Sequence, residues 1–146
     1  MAGGHRRGGT LALDHGDKRT GLAYADALGI TTTPLEPVRG PGDSRALLDR
    51  VADVLTERDV AVVVVGLPLH ADGSESPRCA VVRAFAARLR ERFPDLAIEL
   101  VDEHLTSKAA EERLREAGYD ARESRARRDS WSALVLLEDW LRRDGR

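Results

Sequence analysis

Val60 to Val65 reads VAVVVV and runs straight into Gly66. Branching at Cβ favours extended backbone, and a run with no polar alternation is what a strand covered on both faces looks like. It is strand-sized and far too short to cross a membrane. A strand of this kind is found inside a parallel or mixed sheet with helices packed above and below it, so the chain is expected to be α/β. Its 146 residues, 42% of them hydrophobic, suffice for one sizeable core.

The rest of the chain falls into place around that strand. Thr10–Leu13 (TLAL), a turn-like HGDKR and Thr20–Ala25 (TGLAYA) read as a β-hairpin. Pro34–Val38 reads as a third short strand, ended by GPGD. Asp43 or Ser44 then caps a helix carrying Leu47, Leu48, Val51, Val54 and Leu55 at helical spacing. After the central strand, LPLHADGSESP forms a long polar loop, and long loops in compact domains are often functional. Pro77 suits the first position of a helix that carries Val81, Val82, Phe85, Leu89 and Phe93. Ala97–Val101 (AIELV) is another strand, Thr106 caps a helix ending at Gly118, and a last helix runs from about Asp129 to Leu141. The expectation is a mixed five-stranded sheet, a three-stranded antiparallel meander plus two parallel strands, with helices on both faces. Residues 10–142 are read as one domain behind a flexible Gly-, Arg- and His-rich tail, residues 1–9.

Charge and cysteine content narrow the functional classes. With 23 basic and 25 acidic residues the formal charge is -2, so bulk positive charge cannot be the means of holding nucleic acid. Any such role rests on local basic patches. Cys79 is the single cysteine, which rules out an intramolecular disulfide and fits a reducing compartment. With neither a signal-like apolar run nor a membrane-spanning stretch, the expected location is the cytoplasm and no membrane partner is expected.

Three acids stand where chemistry is usually found. Asp14 closes the first strand and Glu103 follows the fifth, so parallel packing would bring both to the carboxyl edge of the sheet. Asp129 opens the last helix on the same face as Ala133, Leu136 and Trp140, an apolar face that must turn inward. Carboxylates suit hard divalent cations such as Mg²⁺ or Mn²⁺, and two such ions about 4 Å apart serve phosphodiester hydrolysis. Each acid also has an ordinary reading: Asp14 a turn former, Glu103 an exposed loop residue, Asp129 a helix cap. Spacing alone does not choose between these.

The motifs together resemble a known family. LALDHGDKRTGLAYAD resembles the opening strand-turn-strand of the YqgF/RuvX proteins, and VVVGLPLHADGSES their Gly-Leu-Pro loop. ELVDEHLTSKAAEERL is similar to their Asp-Glu-Arg-Leu-Thr segment, and RRDSWSALVLLEDWL to their closing Asp-x-x-Ala-Ala helix. The resemblance spans nearly the whole chain. It implies an RNase H-like fold, nuclease activity on nucleic acid, and Asp14, Glu103 and Asp129 as metal-binding and catalytic acids. Lys18 and Arg19 match the basic pair of the first turn and Thr106 the Thr after the acidic strand, which makes them candidates for phosphate contact.

Some positions depart from that pattern. His104 stands where Arg is usual, Ser132 replaces a small Ala at little expected structural cost, and His15 and Asp17 fill turn positions that usually hold smaller residues. Asp17 either adds a fourth carboxylate or opposes phosphate. Arg122, Arg125, Arg127 and Arg128 lead into Asp129, and that position favours Arg125 and Arg128 as strand-binding over a merely solvated loop. His70 reads as exposed, while Trp131 and Trp140 read as core residues of an apolar helix.

The leading expectation is a nuclease using Mg²⁺ or Mn²⁺, with Asp14 bridging two ions, that processes the 5′ end of precursor 16S rRNA in ribosome biogenesis. A Holliday junction resolvase-like endonuclease is the alternative; paired incisions would favour a symmetric homodimer over a monomer. A non-catalytic nucleic-acid adaptor is a further alternative. An actin-like ATPase, which also opens with Asp-x-Gly, is disfavoured because such enzymes bind ATP between two domains in much longer chains.

Overall fold

The computed structural model describes residues 8–41, 45–103, 108–120, 128 and 130–143. Strands β1 (Gly9–Asp14), β2 (Arg19–Ala25) and β3 (Thr32–Arg39) come first, followed by helix α1 (Arg45–Glu57) and strand β4 (Val60–Leu67). Helix α2 (Pro77–Arg92), strand β5 (Ala97–Asp102), helix α3 (Lys108–Glu116) and helix α4 (Trp131–Arg143) complete the chain. The five strands form one sheet in the order β3-β2-β1-β4-β5. β1, β2 and β3 are joined antiparallel, and β4 and β5 add parallel to β1. The expected mixed sheet is therefore present.

Each side of the sheet carries its own core. Leu11, Leu13, Val63 and Val65 pack with α1 and α2 through Leu47, Val51, Val82, Phe85 and Leu89. Ala12, Ala23, Val64 and Val101 pack with α3 and α4 through Ala110, Leu114, Ala133, Leu134 and Leu137. The alternation of odd and even residues in β1 is the period-two geometry of a strand: neighbours point to opposite faces. Small residues line the α4 side of β1 and β2, which lets that helix approach closely. Every residue from Ala133 to Asp139 is buried, including two acids. Glu138 is held by Arg113 of α3 at 3.1 Å and Asp139 by Arg143, one turn on, as buried charges require.

Some local expectations shift. The third strand reaches from Thr32 to Arg39, beyond Pro34–Val38, because β2 continues to pair with it. It tolerates Pro34 and Pro37 because it lies at the sheet's edge, where a missing N–H need not break a ladder. In α2, Val82, Phe85, Ala86 and Leu89 form the buried stripe, so Val81, a helical step away, faces solvent and is 41% exposed. Phe93 caps that helix from outside it. Trp131 and Trp140 are half-buried against the core. The proposed caps Asp43, Ser44 and Thr106 lie outside the described residues.

Candidate active site

Asp14 ends β1, and two residues before it Ala12 belongs to the α4 side of the sheet. Glu103 follows β5, two residues after Val101 on that same side. β4 lies between these strands, with Val65 opposite Leu13 and Gly66 opposite Val101. Period-two geometry thus turns Asp14 and Glu103 toward α4 at one edge of the sheet. The level between them is left open by Gly66. A Cβ placed there would lie 2.8 Å from Glu103 Oε2 and 3.3 Å from its Cβ. The glutamate carboxyl therefore rests over a residue that has no side chain.

The two acids open into a pocket of about 200 Å³ that Glu111 of α3 and Trp131, Ser132 and Leu136 of α4 also line. Burial raises the Asp14 carboxyl above its ordinary range, opposed by a hydrogen bond from the Ser132 hydroxyl and by the charge of Arg78. Burial also pushes Glu103 up to about 7, helped by the negative charge of Asp14 and opposed by Arg78. Two half-buried carboxyls, both raised by burial and Glu103 further by Asp14, form a site that favours a cation or a retained proton. Among the described residues no group of three or more His, Cys, Asp and Glu side chains is placed to hold a metal ion.

Positive charge arrives from α2. Ser76 Oγ donates to the carbonyl of Pro68, folding the loop after β4 back on itself, and Pro77 starts the helix. The loop is further held by His70 N–H to Ser74 O at 2.8 Å and by Asp72, which accepts from Ser74. Arg78, the second residue of α2, then reaches the β1–β2 turn. Its Nη1 pairs with Asp17, and its Nη2 donates to His15 Nδ1 at 2.9 Å and to the His15 carbonyl at 3.3 Å. The His15 ring is buried and stacks at a tilt on Phe85, 5.0 Å between centroids.

The chemistry of this edge can be set beside known proteins. The profile of a family described as "RuvX: Holliday junction resolvase" matches residues 8–143. The chain belongs to the RuvX family. With that family comes the RNase H-like fold, matching the sheet order described above. A protein of Anaeromyxobacter sp. (strain Fw109-5), named "Putative pre-16S rRNA nuclease", is 46% identical over 136 residues, covering 93% of this chain and 96% of its own. Proteins of the same name from Anaeromyxobacter dehalogenans (strain 2CP-C) and Nocardia farcinica (strain IFM 10152) are 41% and 38% identical, each over 92% of this chain and over 96% and 78% of their own.

Of the acids singled out from the sequence of this RuvX-family chain, Asp14 and Glu103 come together, while Asp129 lies outside the described residues. Thr106, Arg125 and His104 also lie outside them. Lys18 and Arg19 are exposed where β2 begins, and Arg128 is exposed ahead of α4. Arg19 stands opposite Arg39 in the β2–β3 register. Asp17 pairs with Arg78, which neither of the two roles first considered for it had anticipated. Ser132 is more than a small-for-small exchange, since its hydroxyl holds Asp14. Sequence reasoning missed Arg78, Arg39 and Glu111. For Arg78 the available signal was its place in the first turn of a helix that follows a long loop.

Proposed function

We propose that this chain is a divalent-metal-dependent nuclease whose substrate is the 5′ end of precursor 16S rRNA. The convergence of Asp14 and Glu103 in one half-buried pocket carries the reading. Hydrolysis of a phosphodiester needs a positioned water and stabilisation of the leaving oxygen, and acidic side chains supply neither unaided. Their oxygen donors fit Mg²⁺ or Mn²⁺: such ions take one or two carboxylates and fill the remaining positions with water and substrate phosphate. Burial makes both carboxyls harder to ionise, and Asp14 adds to this for Glu103, a cost that a bound cation relieves. Asp14 and Glu103, with Asp129 as a third ligand, would hold the metal, which when bound supplies an activated water and Lewis-acid stabilisation.

The protein's own groups do the positioning. Ser132 orients Asp14, Gly66 leaves Glu103 its place, and Trp131 and Leu136 wall the pocket beside them. Lys18, Arg19 and Arg128 supply exposed charge for the strand, joined by Arg39, with Thr106 and Arg125 as further contacts. The relatives' shared name favours precursor rRNA as substrate. The family's description supports a second reading, cutting of four-way DNA junctions, which would need two copies to make paired incisions.

The test is cleavage of three labelled substrates: a precursor 16S rRNA 5′ leader, single-stranded DNA and a four-way DNA junction. Each is incubated with Mg²⁺, Mn²⁺ or EDTA, with wild type and Asp14→Asn. We expect metal-dependent cutting of the leader that the variant loses by at least about 100-fold. Preference for the junction would move the assignment to the second reading. Binding with no cutting under any condition would make the chain a nucleic-acid adaptor.

A further inference from the structure

We infer that Arg78 is a phosphate-contacting residue, gripping the nucleic-acid backbone beside Asp14 and Glu103, and that Asp17 holds its guanidinium until the strand arrives. The inference rests on the nuclease reading and names one side chain through which that site would hold its substrate.

The geometry divides the guanidinium into two edges. Nη2 is fixed by His15, through the ring nitrogen at 2.9 Å and the carbonyl at 3.3 Å, and the His15 ring is itself buried against Phe85. Nη1 faces Asp17, whose side chain is 77% exposed, while that of Arg78 is 30% exposed. One edge is thus anchored in the core and the other is paired at the surface. An exposed pair of this kind contributes little to stability. Exchanging its carboxylate for a phosphodiester oxygen keeps a charge-assisted hydrogen bond and adds the planar fork that suits phosphate.

Location points the same way. Arg78 lies close enough to Asp14 and Glu103 for its charge to act on both. A phosphodiester entering that pocket meets two acids, and the strand's negative charge needs a fixed positive neighbour there in addition to any cation the acids hold. Lys18, Arg19 and Arg39 stand at the exposed ends of β2 and β3, suited to flanking phosphates. Arg78 is set instead by the folded loop of residues 68–76 beside the two acids, near enough for its charge to reach both. That placement gives the long polar loop a purpose.

The alternative is that Arg78 only braces α2 against the hairpin, and the partner residue separates the two. A brace lost at Arg78, which also holds His15, leaves the salt slope of binding unchanged, and one lost at Asp17 cannot tighten binding, whereas a phosphate contact predicts both changes. We would measure binding of a fluorescently labelled fragment of the precursor 16S rRNA 5′ leader in EDTA, between 50 and 200 mM salt, and its cleavage with Mg²⁺. Arg78→Gln should weaken binding about tenfold and make the log–log salt slope shallower by about one. Arg78→Lys should fall between, keeping the charge without the fork. Asp17→Asn should bind about twofold tighter than wild type, since a competing carboxylate has gone. Thermal melting should fall further for Arg78→Gln than for Asp17→Asn, because only the former also loses the two bonds to His15. The inference fails if Arg78→Gln keeps wild-type affinity and slope, or if Asp17→Asn weakens binding as much as Arg78→Gln. A wild-type chain that cuts the leader while Arg78→Gln binds normally overturns this inference alone; one that neither binds nor cuts overturns the nuclease reading with it.

Discussion

Glu103 holds its proton in a range where most carboxyls have given theirs up, because burial and the adjacent Asp14 raise it to about 7 from an ordinary 4.5. Between those two values the folded chain keeps a proton that the unfolded chain has released. Stability therefore falls as pH rises through this window and levels off above it. Replacing Glu103 by Gln removes the penalty. In metal-free protein, the melting temperature of Glu103→Gln should match wild type near pH 4 and exceed it by about 3 °C at pH 8. Scanning calorimetry across that range checks it, and an equal difference at both ends would contradict the raised carboxyl. The same proton must leave before Glu103 can serve a cation.

At the scale of elements, Ser130 joins three of them. Its hydroxyl donates to the Leu35 carbonyl at 2.8 Å and accepts from the Leu22 N–H at 3.3 Å. The β2–β3 register slips between Thr20 and Leu22, and Ser130 enters beside that irregularity, pinning the start of α4 to the meander. Ser130→Ala would leave both buried backbone groups without this partner, at a cost of about 2 kcal/mol. Urea unfolding should read that loss as a lower midpoint with unchanged slope, and a change below about 0.5 kcal/mol would show the irregularity to be satisfied otherwise. Such contacts mark where the sequence stopped being readable. Asp14 and Glu103 were legible because they end strands whose apolar runs announce themselves, and parallel order brings strand ends together. The tie from Ser130 to Leu22 spans 108 residues and the pair between Arg78 and Asp17 spans 61. Distances of that kind depend on register, on a bulge and on the path of a loop, none of which hydrophobic periodicity encodes. The helix stripes were legible in the same way as the strands; Val81 was misplaced only because its apolar side chain resembles its buried neighbour.

For the whole molecule, the near balance of 23 basic and 25 acidic residues means that strand binding must come from a small local group. On the proposed reading, Lys18, Arg19, Arg39, Arg78 and Arg128 are five phosphate contacts from the described residues. Five single-strand phosphates neutralised correspond to a log–log salt slope of about -3.5, or roughly a hundredfold loss of affinity between 50 and 200 mM salt. Titrations of the labelled leader at those salts test it; a slope near -8 would require a much larger basic surface than these five.

The pocket also has a place in time. Asp14 is synthesised well before the serine that orients it and the helix that walls it in, both of which lie beyond residue 130. A growing chain holds both acids in its sequence long before α4 exists to complete their surroundings. On the nuclease reading, a chain emerging from a ribosome thus lies beside abundant RNA while its cutting site is still unbuilt. Assembly order alone would keep the enzyme inactive there, with no inhibitor needed.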